Sequence, residues 1–182
     1  EDEAAGVVRA WRDLNHHIVQ LWYDMDDAAR WLCSMSVRKA RAEGWVPVGP
    51  RLHVPRGYSP TGTKTAFYLR LPSKRPLVYP AMQFNDDEGQ LEYYGVQPLT
   101  NQLGWTHTYG GKLIENATQA AARDVMAAAL VRLRGHPRFR RRTRLTVHDE
   151  AVAAGQFVNA DADLMKQVME HPLPWADGLP VK

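Results

Sequence analysis

The chain has 182 residues, 45% hydrophobic and 24% charged. This composition excludes wholesale disorder and suffices for one core or for a large piece of a bigger domain. A net charge of +3 is too small to point to nucleic acid by itself. Cys33 is the single cysteine, so no internal disulfide forms and a reducing, cytoplasmic location is expected. There is no signal-peptide pattern and no apolar run long enough to span a bilayer, so no membrane association is expected.

Residues 1–44 read as helix. Val7, Trp11, Leu14, Ile18, Leu21, Met25, Ala28, Leu32 and Met35 recur every three or four positions. Asn15-His16-His17 is a bend or break in this pattern, and Gly44 is its stop. Trp11, Trp22 and Trp31 fall on or near the apolar stripe and read as core, with Cys33 a buried thiol. Pro47 to Pro60 reads as loop, with a short strand at Leu52-His53-Val54. Ala66–Leu71 and Leu77–Tyr79 read as strands joined through Pro72-Ser73-Lys74, Asn85 to Gly89 as a turn, and Leu91–Val96 as a third strand. A long helix is expected from Lys112 to about Leu133. Before it, Tyr109-Gly110-Gly111 reads as a tight turn or, alternatively, as a phosphate cradle at a helix start. A β-hairpin around Asp149 and a helix from about Asp161 to Glu170, stopped by Pro172 and Pro174, complete the chain. The fold class is α+β, antiparallel strands with packed helices. It falls into a helical segment (1–44), a segment of loop and short strands (45–111), and a segment of long helix, hairpin and final helix (112–182).

The candidate chemistry gathers near the end. His148-Asp149-Glu150 lies between Leu145-Thr146-Val147 and Ala151-Val152-Ala153, two strand-like runs with acids at their junction. A carboxylate held on a rigid turn suits a divalent cation such as Mg²⁺. Read alone, the tripeptide is far more simply a solvated hairpin tip. Upstream, Gln119 and Arg123 sit one helical turn apart, and Asn116 shares a face with Gln119 at three-residue spacing. Between helix and hairpin runs a series of arginines at 132, 134, 138, 140, 141, 142 and 144. Lys64, Arg70, Lys74 and Arg75 form a second basic group.

Thr108-Tyr109-Gly110-Gly111-Lys112-Leu113-Ile114-Glu115-Asn116-Ala117-Thr118-Gln119-Ala120, then Ala122-Arg123-Asp124, then Val147-His148-Asp149-Glu150 resemble the palm of bacteriophage-type family A DNA polymerases. Leu71-Pro72-Ser73, Tyr79-Pro80 and Leu91-Glu92-Tyr93-Tyr94-Gly95-Val96 resemble the segment before the palm helix. Ala10-Trp11-Arg12 with Ile18 to Trp22 resembles the helix after the fingers, and Pro174 to Pro180 the C-terminal signature. The resemblance covers nearly the whole chain in order. It implies template-directed nucleotidyl transfer to a primer 3′ end, with two Mg²⁺ ions, dNTPs and primer-template DNA. Asp149 would be one of two metal-holding aspartates, Glu150 an auxiliary acid, and His148 a neighbour of the primer terminus. Gln119 would read the minor-groove edge of the terminal pair, where purine N3 and pyrimidine O2 are acceptors in every correct pair. Asn116 and Arg123 would contact DNA from the same helix; some branches of the family carry the amide one position earlier, where this chain has Glu115. The arginine run departs from the family pattern. Arg140, Arg141 and Arg142 read either as a grip on DNA phosphates or as a solvated basic loop.

Two family elements have no counterpart here: a second aspartate in a pattern like Asp-x-Ser-x-Ile/Leu-Glu, and a fingers helix carrying Arg, Lys and a Tyr-Gly pair. Residue 1 is Glu, and a processed or cut chain is expected. The expectation is therefore a polymerase portion, inactive alone, that needs an N-terminal remainder or a second subunit. Two other classes are a non-catalytic nucleic-acid-binding or assembly protein built on a polymerase palm, and a metal-dependent hydrolase using Asp161 and Asp163 as further acids.

Overall fold

A computed structural model describes residues 2–58, 65–97 and 100–177. Lys64 and the Gly178-Leu179-Pro180 end of the C-terminal signature lie outside the described residues. The chain divides into two compact units, Glu1–Thr118 and Gln119–Lys182.

The first unit opens with three helices, one break falling where Asn15-His16-His17 marked it and a second that was not expected. The helices are α1 (Asp2–Leu14), α2 (His16–Ser34) and α3 (Val37–Glu43). The first break falls at Asn15, whose side-chain amide donates to the Trp11 carbonyl at 2.9 Å and so competes with the helical ladder. The second falls at Met35-Ser36, where the Ser36 hydroxyl accepts from the Lys39 amide as an N-cap. Gly44, at φ +70°, ends α3 as its sequence position implied. Along α2, Met25, Ala29 and Leu32 are fully buried, the i, i+4, i+7 spacing of one helix face. Trp11 and Trp31 depart from the core reading, being 44% and 45% exposed, whereas Trp22 is half-buried. Trp11 instead stacks on Trp22, with ring centroids 5.9 Å apart.

Strands then alternate in short antiparallel pairs. β1 (Val46–Val48) pairs with β2 (Leu52–Val54), and β2 and β3 (Arg56–Tyr58) follow one another along one edge of β4 (Thr65–Arg70). Pro55 divides β2 from β3. It has no N–H to give, but its carbonyl still accepts from the Tyr68 amide at 3.0 Å. β5 (Pro76–Pro80) covers the other edge of β4 in full register, from Ala66↔Pro80 to Arg70↔Pro76. A second sheet has the order β6 (Gln83–Asn85), β7 (Gln90–Val96), β8 (Leu103–Thr108). The Asn85–Gly89 turn forms as expected, with Asn85 Oδ1 accepting from the amides of Asp87 and Glu88. β1, β3, β6 and β8 were not expected from the sequence; all but β8 are three residues long, and β8 is rich in polar residues. The core of the unit is Phe67, Leu69, Leu71, Met82, Leu91 and Leu113 with the α2 stripe.

The long helix α4 (Gly110–Gly135) begins two residues earlier than expected, and this decides between the two readings of Tyr109-Gly110-Gly111. A Cβ on Gly110 would lie 1.9 Å from the Trp22 carbonyl oxygen and 2.7 Å from the Asp26 amide, so the glycine is required for close approach to α2 rather than for an unusual backbone angle. The Gly110 amide donates to Asp26 Oδ1 at 2.8 Å. The anion at this helix start is therefore the protein's own carboxylate, which is itself paired with Arg30. That contact takes the place of a phosphate cradle at Gly110.

In the second unit, β9 (Thr143–Val147) pairs with β10 (Glu150–Ala153), and α5 (Asn159–Met169) follows. Ala129, Leu133 and Phe139 are buried, and the Phe139 ring lies 6.2 Å from that of Phe157. The Arg132 guanidinium donates to the carbonyls of His171 (2.6 Å) and Pro172 (3.3 Å), tying α4 to the chain beyond α5.

Gly110→Ala is expected to destabilise the protein severely, by about 3 kcal/mol or more, because the clash is with backbone atoms that cannot yield by rotating a side chain. A urea denaturation midpoint unchanged from that of the parent chain would contradict this packing.

Candidate functional site

The acids expected at a three-residue tip are set on a two-residue turn. Val147 pairs with Glu150, Thr146 with Ala151 and Leu145 with Val152, so the turn is His148-Asp149 and Glu150 is the first residue of β10. Such tight connections need left-handed backbone to match the strand twist. His148 supplies it at φ +53°, a conformation uncommon outside glycine, in which His is one of the enriched residues. Directly opposed residues in an antiparallel pair share a face. Glu150 therefore projects on the side that carries Leu145, Val147 and Val152. These three are 56%, 45% and 45% exposed. His148, Asp149 and Glu150 are all exposed, and none of their side chains makes a hydrogen bond or ion pair among the described residues.

The helix candidates lie along α4. Asn116 is half-buried, and its side-chain N–H donates to the Tyr79 hydroxyl at 3.2 Å. Tyr79 is 5% exposed and packs edge-on against Tyr93 at 5.2 Å. Burial, only partly offset by the Asn116 bond, pushes the Tyr79 hydroxyl up to about 12. Asn116 thus has a partner on β5 that the sequence did not reveal. Gln119 and Arg123 are exposed.

The arginine run separates into two groups. Arg132 is engaged with the carbonyls described above. Arg138 makes a two-pronged ion pair with Asp161 and donates to the Gln156 carbonyl at 3.0 Å. Arg142 lies over the Phe157 ring at 5.6 Å, with its Nη1 buried and without a hydrogen-bond partner. The second group is Arg134, Arg140, Arg141 and Arg144. These four are exposed and make no ion pair among the described residues, and all four line a groove beside β9. Of the three arginines singled out for DNA, the groove holds Arg140 and Arg141. Of the second basic group, Arg70 stacks over the Trp45 ring at 5.0 Å.

Of the two acids available to the hydrolase reading, Asp163 is exposed and Asp161 is engaged. It is held by Arg138 and also accepts from the Val158 amide at 2.7 Å, closing the first turn of α5 as a capping-box acid does. The guanidinium, then the amide, hold its carboxyl well below the usual range, at about 2. Among the described residues no group of three His, Cys, Asp or Glu side chains is placed to hold a metal ion, so neither a hydrolase cluster nor a complete cation site is present there. No described helix is long and apolar enough to cross a membrane.

An α+β chain with an acid-tipped hairpin behind a long polar-faced helix is the class that these features define. Along its whole length the chain is similar to a DNA polymerase of Bacillus phage SP02, at 34% identity over 187 aligned positions. The chain spans about a quarter of that relative, 26% of its length, and so matches a segment of a phage DNA polymerase. No family model matches the chain, and no solved structure does.

The Arg138–Asp161 pair generates a pH prediction. The folded carboxyl is depressed below its ordinary value of 3.8, so its contribution is present above about pH 4 and is lost as pH falls toward 2. Stability followed by denaturant unfolding is expected to decline through that window. Asp161→Asn should lower stability at pH 7 and flatten the decline; an unchanged profile would show that the pair is not coupled to folding.

Proposed function

We propose that the chain is the C-terminal palm portion of a template-directed DNA polymerase, comprising the helix after the fingers, the palm helix and the hairpin that holds a catalytic cation. Its chemistry is nucleotidyl transfer from a dNTP to a primer 3′ end on primer-template DNA. The observation that carries this reading is the end-to-end likeness to a phage DNA polymerase, joined to a hairpin whose turn leaves two adjacent carboxylates exposed and without a cation partner among the described residues. The likeness spans only part of that relative, which supports a chain that works together with a further polymerase portion supplying the second aspartate and the nucleotide-binding fingers.

The donor set fits a hard divalent cation in kind. Asp149 and Glu150 offer carboxylate oxygens, the ligands that Mg²⁺ prefers, and Mg²⁺ retains waters, so few protein ligands are needed. It is incomplete in number, as expected of a site shared with another portion. Asp149 would hold the ion, with Glu150 as an auxiliary acid. When bound, the metal supplies stabilisation of negative charge on the reacting phosphate oxygens. The chain's own residues position the reactants. His148 stands at the turn, where it can donate to a primer phosphate. Gln119 offers an amide N–H to the acceptor present on the minor-groove edge of every correct base pair. Arg123 follows one turn along and can neutralise backbone charge. Asn116, oriented by Tyr79, presents its remaining donor and acceptor to the same groove. The work is orientation and electrostatics, the two main contributions to phosphoryl-type transfer.

In a polymerase containing this chain, Asp149→Ala should lower the rate of primer extension by about three orders of magnitude or more, at least roughly 4 kcal/mol of barrier. The far-UV spectrum should not change, because the side chain is exposed. Retained extension would end the proposal. Gln119→Ala should reduce extension from matched ends by about tenfold, near the value of one hydrogen bond of roughly 1.4 kcal/mol. Mismatched ends should be affected less. Equal effects on both would remove the minor-groove role.

A further inference from the structure

The second unit contains a groove of about 890 Å³ between the last turns of α4 and the outer side of β9. Three of its properties converge. First, its charge is of one sign: Arg134, Arg140, Arg141 and Arg144 line it, and no acid does. The four have no ion pair among the described residues, unlike Arg138 of the same run. Second, the groove has apolar surface between these cations. Val131 is 70% exposed and Leu145 56%, and both line it with Leu130. Third, four consecutive residues, Thr143 to Thr146, form one wall. Side chains of a strand alternate in direction, so a consecutive run means that the strand presents its edge. Among the described residues β9 pairs with β10 alone in its two-stranded sheet, so that no described strand covers that edge. Thr143 Oγ1 is buried there and has no hydrogen-bond partner among the described residues.

We infer that this groove is a docking site for an extended acidic peptide segment of a partner protein, which adds to the open edge of β9 and sets its carboxylates against the four arginines. An open strand edge offers main-chain hydrogen bonds to a peptide backbone, and alternating side chains of the added strand reach opposite faces. One set meets the Val131 and Leu145 surface, and the other meets the guanidinium groups, whose planar donor forks match carboxylates. A nucleic acid strand would use the cations but not the open edge, and the lining provides no exposed aromatic ring on which a base could stack. The inference is independent of the polymerase reading, since Asp149 takes no part in it.

The test is fluorescence anisotropy on the full chain with three labelled probes. These are an alternating Glu-Val peptide of roughly six residues, about 20 Å when extended, the Lys-Val peptide of equal length, and an oligothymidylate of similar reach. The acidic peptide should bind at least tenfold more tightly than either of the others, with an affinity that falls as salt rises. Arg140→Glu combined with Arg144→Glu should weaken it tenfold or more. The paired lysine substitutions should stay within a few-fold, and Arg9→Glu on α1 should have no effect. Oligothymidylate binding as tight as the acidic peptide would make the groove a nucleic-acid surface and overturn the inference. Absence of peptide binding, or no loss in the charge-reversed variant, would overturn it equally.

Discussion

The second unit turns on which of its charged side chains are paired and which stay exposed. Asp149 and Glu150 follow seven arginines within a short stretch of chain, yet among the described residues no ion pair joins the two groups. Three of the arginines are engaged elsewhere. Arg132 ties down carbonyls beyond α5, Arg138 is locked on Asp161, and Arg142 lies over Phe157. Arg134, Arg140, Arg141 and Arg144 line the groove beside β9. The turn completes the separation. A two-residue connection through a left-handed His148 leaves the carboxylates exposed at the end of the ladder, where charge stays hydrated and available.

The first unit shows the same use of internal partners at the start of α4. Helix N-termini attract anions, and here Asp26 provides one from α2. The close approach that makes this bond feasible requires glycine at position 110. Farther along the same helix, Asn116 is oriented by the buried hydroxyl of Tyr79, which is in turn wedged against Tyr93. The Gly110 amide and the Asn116 side chain of α4 thus each have a defined partner.

Much of the architecture was legible where periodicity was strong. The α2 stripe, the β4–β5 hairpin through Pro72-Ser73-Lys74, the Asn85–Gly89 turn, α4 and the acid-tipped hairpin all follow from residue spacing. β1, β3 and β6 were not legible, because three-residue strands carry no period and exist only through pairing with β2, β4 and β7. The break at Asn15 was marked by Asn15-His16-His17, whereas that at Ser36 depends on a side-chain cap that a hydrophobic stripe conceals. At the candidate site, the sequence marked Asp149 and Gln119 through resemblance. It did not reveal Tyr79 as the partner of Asn116, which is 37 positions away, or the division of the arginine run, which is decided by the tertiary contacts of Asp161 and Phe157.

The most direct measurement is Mn²⁺-induced line broadening of backbone amide resonances in a polymerase containing this chain, with Mn²⁺ standing in for Mg²⁺. Broadening centred on His148 to Ala151, abolished by Asp149→Asn, is the result that the account requires. Broadening centred elsewhere, or persisting at the hairpin without the Asp149 carboxylate, would contradict it.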